Sequence, residues 1–267
     1  MSANSALTPV RERGWRMGLA NMLAKESRAW WRTRKWWIQC LLWLVLLNLG
    51  LWLNLRGHMR VDNAGLNFLT VAGHAVPIAA ISMAQDSILG ERHSGTAAWV
   101  LSKPMKRTSF VLAKLIALGL GFLITAIVLP GVVAYFQLRG NGLSHLLSAG
   151  GWAKAMGLVY LNALFYLTLA LMLATIFHGR GPVLGISVLV LMSGLMIFSY
   201  NLVLEHAPWL VAVLPWKLLA DFESGRPLAA FVALGQPLPT VTPIIGTVVW
   251  CALFVAVAIW RFRREEF

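Results

Sequence analysis

The chain has 267 residues, of which 58% are hydrophobic and only 12% are charged, and its mean hydropathy is +0.70. A soluble domain carries about 25% charged residues, so this composition excludes an ordinary soluble domain and predicts an integral membrane protein. The formal net charge of +13 does not indicate a nucleic-acid partner, because the cations cluster beside apolar runs, where anionic lipid headgroups attract them.

Charge-free runs long enough to cross a hydrocarbon core of about 30 Å as helices recur along the chain. We predict six spans, at 36–55, 66–84, 115–138, 155–177, 182–204 and 243–260. The runs lack the alternation of a membrane barrel, so their backbone groups must be paired within helices. The predicted fold is therefore all-α, a polytopic bundle of six transmembrane helices.

The distribution of Lys and Arg predicts the orientation of the bundle. Of the 23 such residues, six fall on one side: Arg56, Arg60, Arg139, Lys154, Lys217 and Arg226. The others lie near both termini, in the loop between spans two and three, and at Arg180. Because positive charge is retained on the cytoplasmic side, both termini and that loop are predicted to be cytoplasmic.

Residues 1–35 are predicted to form a cytoplasmic tail and a basic amphipathic helix, followed by a membrane domain over 36–267. Trp15, Leu19, Met22, Leu23 and Trp30 share one helical face. Tryptophans on a basic amphipathic helix are typical of an element that lies in the headgroup plane. A solvated basic tail is the alternative. We expect the first apolar run to be a retained anchor, because it is too long for a signal peptide.

Polar side chains inside the predicted spans are candidates for a substrate path. His74 interrupts span two, and Asn162 and Tyr166 lie in span four. An ionisable or polar group in a membrane marks function by default, although such groups more often join helices. Cys40 and Cys251 have no metal or redox spacing and are predicted to be packing residues.

The most distinctive stretch is the predicted cytoplasmic loop 85–109, whose charges lie between two long uncharged segments. Its middle, from Gly95 to Ser102, is predicted to be a short apolar-faced helix that Pro104 ends. An exposed loop that carries apolar residues favours a docking surface over a simple connector. A second, tight cytoplasmic loop is predicted at 177–182.

Residues 205–242 form the longest predicted non-cytoplasmic segment. Its two apolar pieces, 208–220 and 228–234, are too short to span a bilayer and contain several prolines. Pieces of this kind are usually re-entrant or interfacial. We therefore expect an outer cap over the bundle before the last span.

The loop resembles the segment between the second and third spans of type-2 ATP-binding-cassette (ABC) export permeases. The resemblance rests on the pattern E-x-x-x-G-T-x-x-x-x-L-S-x-P-x-x-R-x-x-x-x-x-x-K, formed here by Glu91, Gly95, Thr96, Leu101, Ser102, Pro104, Arg107 and Lys114. The chain end, with Phe262, Arg264, Glu266 and Phe267, is similar to the F-x-R-x-E-F ending common in that family. The six-span layout and the amphipathic N-terminal helix match as well.

The resemblance implies a membrane subunit that pairs with a second permease, identical or paralogous, in the inner membrane of a bacterium. Each would dock on a separate ABC ATPase through Glu91, Gly95, Thr96, Trp99, Leu101, Ser102, Pro104 and Arg107. His178 and Arg180 would make a minor contact. The chain has no G-x-x-x-x-G-K-[ST] loop, since the Gly90 to Gly95 spacing lacks the following Lys and Ser or Thr. It therefore needs no cofactor of its own, and ATP and Mg would be bound by the ATPase.

We expect Glu91 to pair with Lys114 or Arg107 and to fix the loop against span three, because an unpaired charge at the membrane edge is costly. Two other function classes stay open. One is an intramembrane metal-dependent or acid-base enzyme, whose candidate residues are His58, Asp62, His74, Glu205 and His206, although no HExxH or GxSxG motif is present. The other is an ATP-independent carrier, for which no internal repeat is evident. The sequence does not indicate the substrate.

Overall fold

The computed structural model describes residues 14–57, 59–96, 105–143, 147–194, 196–219 and 226–264. All regular structure in these ranges is helical, and they contain no β-strand. The all-α fold predicted from the apolar runs is therefore confirmed for the described part of the chain.

The helices follow a short turn at Gly14–Arg16. In chain order they are α1 (Leu19–Trp31), α2 (Trp36–Arg56), α3 (Val61–His93), α4 (Arg107–Leu143), α5 (Ala149–Ile176), α6 (Arg180–Ser193), α7 (Ile197–His206), α8 (Pro208–Val213), α9 (Trp216–Leu219), α10 (Leu228–Ala233) and α11 (Thr242–Arg263). Both α2 and α4 contain a π-helical segment, at Leu44–Leu49 and Leu123–Val128.

Five of the described helices are long and apolar enough to cross a membrane, namely α2, α3, α4, α5 and α11. This arrangement is compatible with a multi-pass membrane protein. Helix α3 has 33 residues, so it extends about 50 Å at 1.5 Å per residue. That length exceeds a hydrocarbon core of about 30 Å, and α3 therefore continues beyond any bilayer it crosses.

The length of α3 corrects the bounds of the predicted loop 85–109. Residues 85–93 are the last turns of α3, and residues 107–109 are the first turn of α4. Glu91 therefore stands on a helix. The charges that suggested a loop mark the protruding end of α3, because a helix that leaves an apolar layer can continue with polar residues.

The predicted span 182–204 is divided into α6 and α7. The break is at Gly194, where an added Cβ would collide with the indole of Trp216. The Trp216 Nε1 donates to the carbonyl of Val190, at 3.2 Å, and so satisfies a carbonyl near the end of α6. A side chain from a later segment thus packs directly against the end of α6.

Helix α1 is shorter than the predicted helix but has the predicted apolar face. Its Met22 and Trp30 are buried, and Leu19 and Leu23 pack against the core. The Trp30 ring lies over Gly121 of α4, where an added Cβ would meet it. The missing side chain therefore lets α1 lie directly against α4.

Helix α5 lies at the centre of the bundle and packs against α3, α10 and α11. Two side chains of α5 donate hydrogen bonds to its neighbours: Asn162 Nδ2 to the carbonyl of Gly73, and Trp152 Nε1 to that of Gly131, both at 2.7 Å. Apolar residues lie on nearly every face of this helix, as expected for a helix surrounded by others.

The segment 205–242 contains only short helices in its described part, as the lengths of its apolar pieces predict. Helix α9 reaches into the bundle, where Trp216, Leu218 and Leu219 are buried. Leu219 fills the space beside Gly73, where a Cβ would collide with it. The segment therefore packs into one end of the bundle.

Candidate functional site

One end of the bundle, which we call the basal end, collects the ends of most long helices. It contains α1, the last turns of α3, α5 and α11, and the first turns of α4 and α6. Hydrogen bonds and ion pairs between side chains and backbone join all of these elements there.

The centre of the basal end is a group of four charged residues, here called the charge cluster: Lys25 and Glu26 on α1, Glu91 on α3 and Lys114 on α4. Glu91 Oε1 lies 2.9 Å from Lys25 Nζ and 3.2 Å from Lys114 Nζ. Lys114 Nζ is also 3.2 Å from Glu26 Oε1. The structure thus joins Glu91 to Lys114, one of its two expected partners, and the charges of the cluster balance.

Lys114 is the most buried member of the charge cluster, with 2% of its side chain exposed. Glu91 and Glu26 are 18% and 19% exposed, so the two carboxylates lie near its ammonium group largely out of water. The ammonium also lies 4.8 Å from the ring centre of Phe110, an attractive geometry. Removal of one member would leave a partly buried charge without compensation, which costs more than the intact pair contributes.

Arg92, next to Glu91, binds the end of the central helix. Its guanidinium donates to the carbonyls of Ala174, Thr175 and Phe177, at 2.6, 3.2 and 3.1 Å. The last carbonyls of a helix lack partners within the helix and carry partial negative charge. Arg92 therefore joins the end of α3 to the end of α5, a role that the sequence did not suggest.

Arg107, predicted to contact the ATPase or to pair with Glu91, is joined to the last helix. It donates to the carbonyls of Phe262 and Arg263, at 3.5 and 3.0 Å. One turn further along α4, the Phe110 ring stacks on the Phe262 ring with centres 5.0 Å apart. The start of α4 is therefore fixed to the end of α11.

The segment before α4 is also joined to the N-terminal region. The backbone N–H of Lys106 donates to the carbonyl of Met17 at 3.0 Å. Gly18 has a φ of 83° and lies so close to Met105 that an added Cβ would meet its side chain. Only glycine combines that conformation with that contact.

The other predicted docking residues fall into two groups. Gly95, with a φ of 69°, and Thr96 follow the end of α3 and are exposed. The Thr96 hydroxyl is 2.8 Å from that of Ser94. Four further predictions, on Trp99, Leu101, Ser102 and Pro104, lie outside the described residues.

The predicted minor contact lies beside the charge cluster. Arg180, at the start of α6, pairs with Asp86 of α3 at 3.1 Å, and both side chains are more than half exposed. His178 is exposed in the turn between α5 and α6. This turn is therefore joined to α3 by a surface ion pair and by Arg92.

Sequence reasoning missed Lys25 and Glu26. A signal was present, because Glu26 is the one acidic residue between positions 14 and 35, on a helix otherwise rich in Lys and Arg. An isolated acid on a basic face indicates a specific cationic partner, but the sequence does not identify it. Lys114 is 88 residues away.

The proposed path residues come together in the interior, with little space between them. His74, Asn162 and Tyr166 line a cavity of about 10 Å³ beside Trp216 and Leu219. The Asn162 amide is bonded to Gly73, and His74 Nδ1 lies 2.6 Å from the carbonyl of Thr70 in its own helix. In this conformation Asn162 joins α5 to α3, His74 bonds within its own helix, and the three residues leave no open passage among themselves.

The candidates for an enzyme site do not form a cluster where they are described. Asp62 pairs with Arg60, and His206 Nδ1 lies 2.9 Å from the carbonyl of Leu202. Within the described ranges no three His, Cys, Asp or Glu side chains are placed to hold a metal ion. His58 lies outside them.

A second cavity of about 230 Å³ lies at the opposite end of the bundle, between α3, α4, α5 and α10. Leu66, Leu69 and Trp152 line its depth, and Asp62 and Arg226 lie at its rim. The two ends of the bundle therefore differ in kind. The basal end is closed by charged contacts, whereas the opposite end has an apolar cavity with a polar rim.

The chain belongs to the family described as a protein of unknown function (DUF2705), whose pattern matches residues 52–267. The match begins within α2 and includes Glu91, Arg92, Arg107 and Lys114, but not α1 with Lys25 and Glu26. No curated protein matches the chain.

Proposed function

We propose that this member of the DUF2705 family is the permease subunit of an ATP-driven ABC exporter. In this proposal the chain spans a bacterial inner membrane six times, with the basal end and both termini in the cytoplasm, and with α6 and α7 together making the fifth span. It assembles with a second permease, identical or paralogous, and with a separate ATPase that binds ATP and Mg.

The observation that carries the proposal is the anchoring of the segment between α3 and α4. On its N-terminal side, Glu91 binds α1 and α4, and Arg92 binds the end of α5. On its C-terminal side, Arg107 binds the end of α11, and Lys106 binds Met17. A simple connector does not need to be fixed at both ends, whereas a segment that transmits force to the helices does.

The anchoring suggests how movement would pass from the ATPase to the membrane. An ATPase that pulls on residues 94–106 would displace the ends of α1, α3, α4, α5 and α11 together. Buried groups with paired charges resist separation, so the basal end would move as one body. Packed helices respond by small shifts and rotations, which would open the opposite end.

Charge distribution supports the orientation. The described part of the basal end is rich in positive residues, among them Lys25, Arg28, Arg32, Arg92, Arg180, Arg261 and Arg263. Anionic lipids of the cytoplasmic leaflet attract such residues, and positive residues mark the inner side. The exposed cations on α1, which packs lengthwise against the first part of α4, therefore fit a cytoplasmic basal end.

Co-purification tests the partner. The full chain, extracted in mild detergent, should retain an ABC ATPase that mass spectrometry identifies. Leu101→Glu should abolish this association, because it puts a charge on the predicted apolar docking residue. Arg226→Glu, at the opposite end, is the matched control and should retain the ATPase.

Coupling is tested at Glu91. Glu91→Gln keeps the size of the side chain but removes the charge that holds Lys25 and Lys114, so ATP hydrolysis should continue while transport falls at least tenfold. Asp86→Asn, on the same helix end but in an exposed pair, should leave both rates unchanged. Normal transport in Glu91→Gln would contradict the proposed role of the anchor.

The two other function classes make different predictions in the same preparations. An ATP-independent carrier would transport in vesicles without the ATPase or ATP. An intramembrane enzyme would show a metal-dependent activity without a partner and would lose it in His74→Ala. Either result would contradict the exporter proposal.

A further inference from the structure

A groove of about 640 Å³ opens on the side of the bundle between α4, α5 and α11. Small side chains provide the space, among them Gly119 on α4 and Cys251 and Ala256 on α11. Tyr160 and Thr168 of α5 line its floor, because residues eight apart lie on nearly the same face of a helix. The groove is otherwise apolar, so in a membrane it would face the lipid.

The Tyr160 hydroxyl is a hydrogen-bond donor in this groove that makes no hydrogen bond to the described residues. Thr168 donates to the carbonyl of Leu164 at 2.8 Å, so its hydroxyl is bonded within α5. The Tyr160 oxygen lies beside Gly119, where an added Cβ would be 3.1 Å from it. No side chain at position 119 covers the hydroxyl, which therefore remains accessible from the groove.

The position of Tyr160 along α5 limits which molecules could occupy the groove. Tyr160 lies near the middle of α5 (Ala149–Ile176), roughly 4 Å from the helix midpoint at 1.5 Å per residue. The ester oxygens and headgroups of phospholipids lie at the edges of a hydrocarbon core of about 30 Å. An acyl chain in the groove would therefore leave the hydroxyl without an acceptor, which is costly in hydrocarbon.

We propose that the groove binds a membrane-dissolved, largely apolar molecule that carries a ketone or ether oxygen within its apolar body. That oxygen accepts a hydrogen bond from Tyr160, and the apolar remainder lies along Gly119 and Ala256. The inference deepens the proposed export function, because it names the class of substrate that would enter sideways from the lipid.

Photolabelling with benzophenone tests the site directly. Benzophenone is an apolar ketone that inserts into nearby C–H bonds under near-ultraviolet light. The full chain is reconstituted in phosphatidylcholine vesicles without any ATPase, irradiated, digested and mapped by mass spectrometry. Adducts should concentrate on the α4, α5 and α11 peptides that line the groove, and their yield should saturate with concentration.

A pair of competitors isolates the hydrogen bond. Dibenzyl ketone should suppress the groove adducts at a lower concentration than 1,3-diphenylpropane, which has the same shape without the oxygen. Tyr160→Phe should weaken the binding of benzophenone and of dibenzyl ketone by about fivefold, the equivalent of one neutral hydrogen bond of about 1 kcal/mol. It should leave competition by 1,3-diphenylpropane unchanged.

Filling the groove should remove the site. Gly119→Leu and Ala256→Leu should both reduce the groove adducts to background, and Ala256 is exposed, so the second variant disturbs no packed contact. Gly185→Leu is the matched control. It adds the same bulk on α6, where an added Cβ meets nothing within 4 Å, and should not change the labelling.

Three results would overturn the inference. Adducts spread evenly over the exposed apolar faces would show that the groove is not a specific site. Labelling in Tyr160→Phe equal to that of the unchanged chain would show that molecules fill the groove without a hydrogen bond to Tyr160. In a Cys40→Ser chain, efficient bismaleimide cross-linking of Cys251 between two copies would show that a second copy covers the groove. Because no ATPase is present, these results do not depend on the coupling tests. If the groove is labelled saturably but the chain retains no ATPase on purification, the binding site stands and the exporter proposal is contradicted.

Discussion

The basal end and the interior of the bundle are held together by different kinds of polar contact. At the basal end, hydrogen bonds join residues that are far apart in the chain, as in Lys25 with Glu91, Arg92 with Ala174 and Arg107 with Arg263. In the interior, the hydroxyls of Thr125 and Thr247 bond to carbonyls four residues earlier in their own helices. The bonds from Asn162 and Trp152 to neighbouring helices involve only neutral groups.

The difference indicates where the bundle can deform. Side chains that bond to their own helix satisfy their polar groups without fixing one helix to another. Neighbouring helices in the interior are therefore held mainly by apolar packing and a few neutral hydrogen bonds, and they can shift. Side chains that bond across the chain fix the ends of several helices together. A force applied at the basal end would therefore be transmitted intact there and be converted into helix movements in the interior.

Loss of the central cation of the charge cluster should have the largest effect on stability. Lys114→Met leaves Glu26 and Glu91 partly buried with much of their compensation removed, which should lower the free energy of unfolding by about 3–5 kcal/mol. Unfolding in mixed detergent micelles, followed by far-ultraviolet circular dichroism, measures it. Lys154→Met, at an exposed lysine of α5, should change it by less than about 0.5 kcal/mol.

A compensated variant distinguishes charge imbalance from lost packing. Lys114→Met combined with Glu26→Gln and Glu91→Gln removes the uncompensated carboxylates, and replacing a whole buried ion group by neutral residues is often neutral. The triple variant should therefore recover most of the stability lost in the single variant. No recovery would mean that the cluster stabilises through shape and not through charge balance.

Removal of the guanidinium that joins α3 to α5 should have an intermediate effect. Arg92→Ala exposes the last carbonyls of α5, and hydrogen bonds to charged groups contribute about 1.5–3 kcal/mol. Hydrogen exchange should accelerate in the last turn of α5, near Ala174, more than in its middle. Arg92→Lys should restore only part of the protection, because an ammonium cannot span three carbonyls as a planar guanidinium does. Uniform acceleration along α5 would contradict a local role.

Prediction from sequence succeeded where a property depends on composition and spacing. The apolar runs predict the long helices, and the amphipathic pattern predicts the face of α1 that buries Met22 and Trp30. Glu91 was expected to pair with Lys114 or Arg107, because an unpaired charge at the membrane edge is costly, and it lies 3.2 Å from Lys114. These inferences need only local information and the rule that charges at a membrane edge find partners.

Prediction failed where distant segments decide the structure. The contact between Gly194, at the end of α6, and the Trp216 indole joins separate segments of the chain. The roles of Arg92 and Glu26 depend on partners 82 to 88 residues away. No local pattern carries that information, because any carbonyl at a helix end or any buried lysine would suit these side chains equally well.

The smallest effect should come from the interior, and it tests the comparison most sharply. Asn162→Leu removes the bond to the carbonyl of Gly73 that joins α5 to α3, and such bonds between membrane helices contribute about 0.6 kcal/mol on average and at most about 1.7. Thr168→Val removes a bond within α5 and should cost less, because its partner carbonyls remain in the helix ladder. If Asn162→Leu instead lowered the free energy of unfolding as much as Lys114→Met, the interior would be fixed as firmly as the basal end, and helix movement there could not convert the motion of the charge cluster into opening.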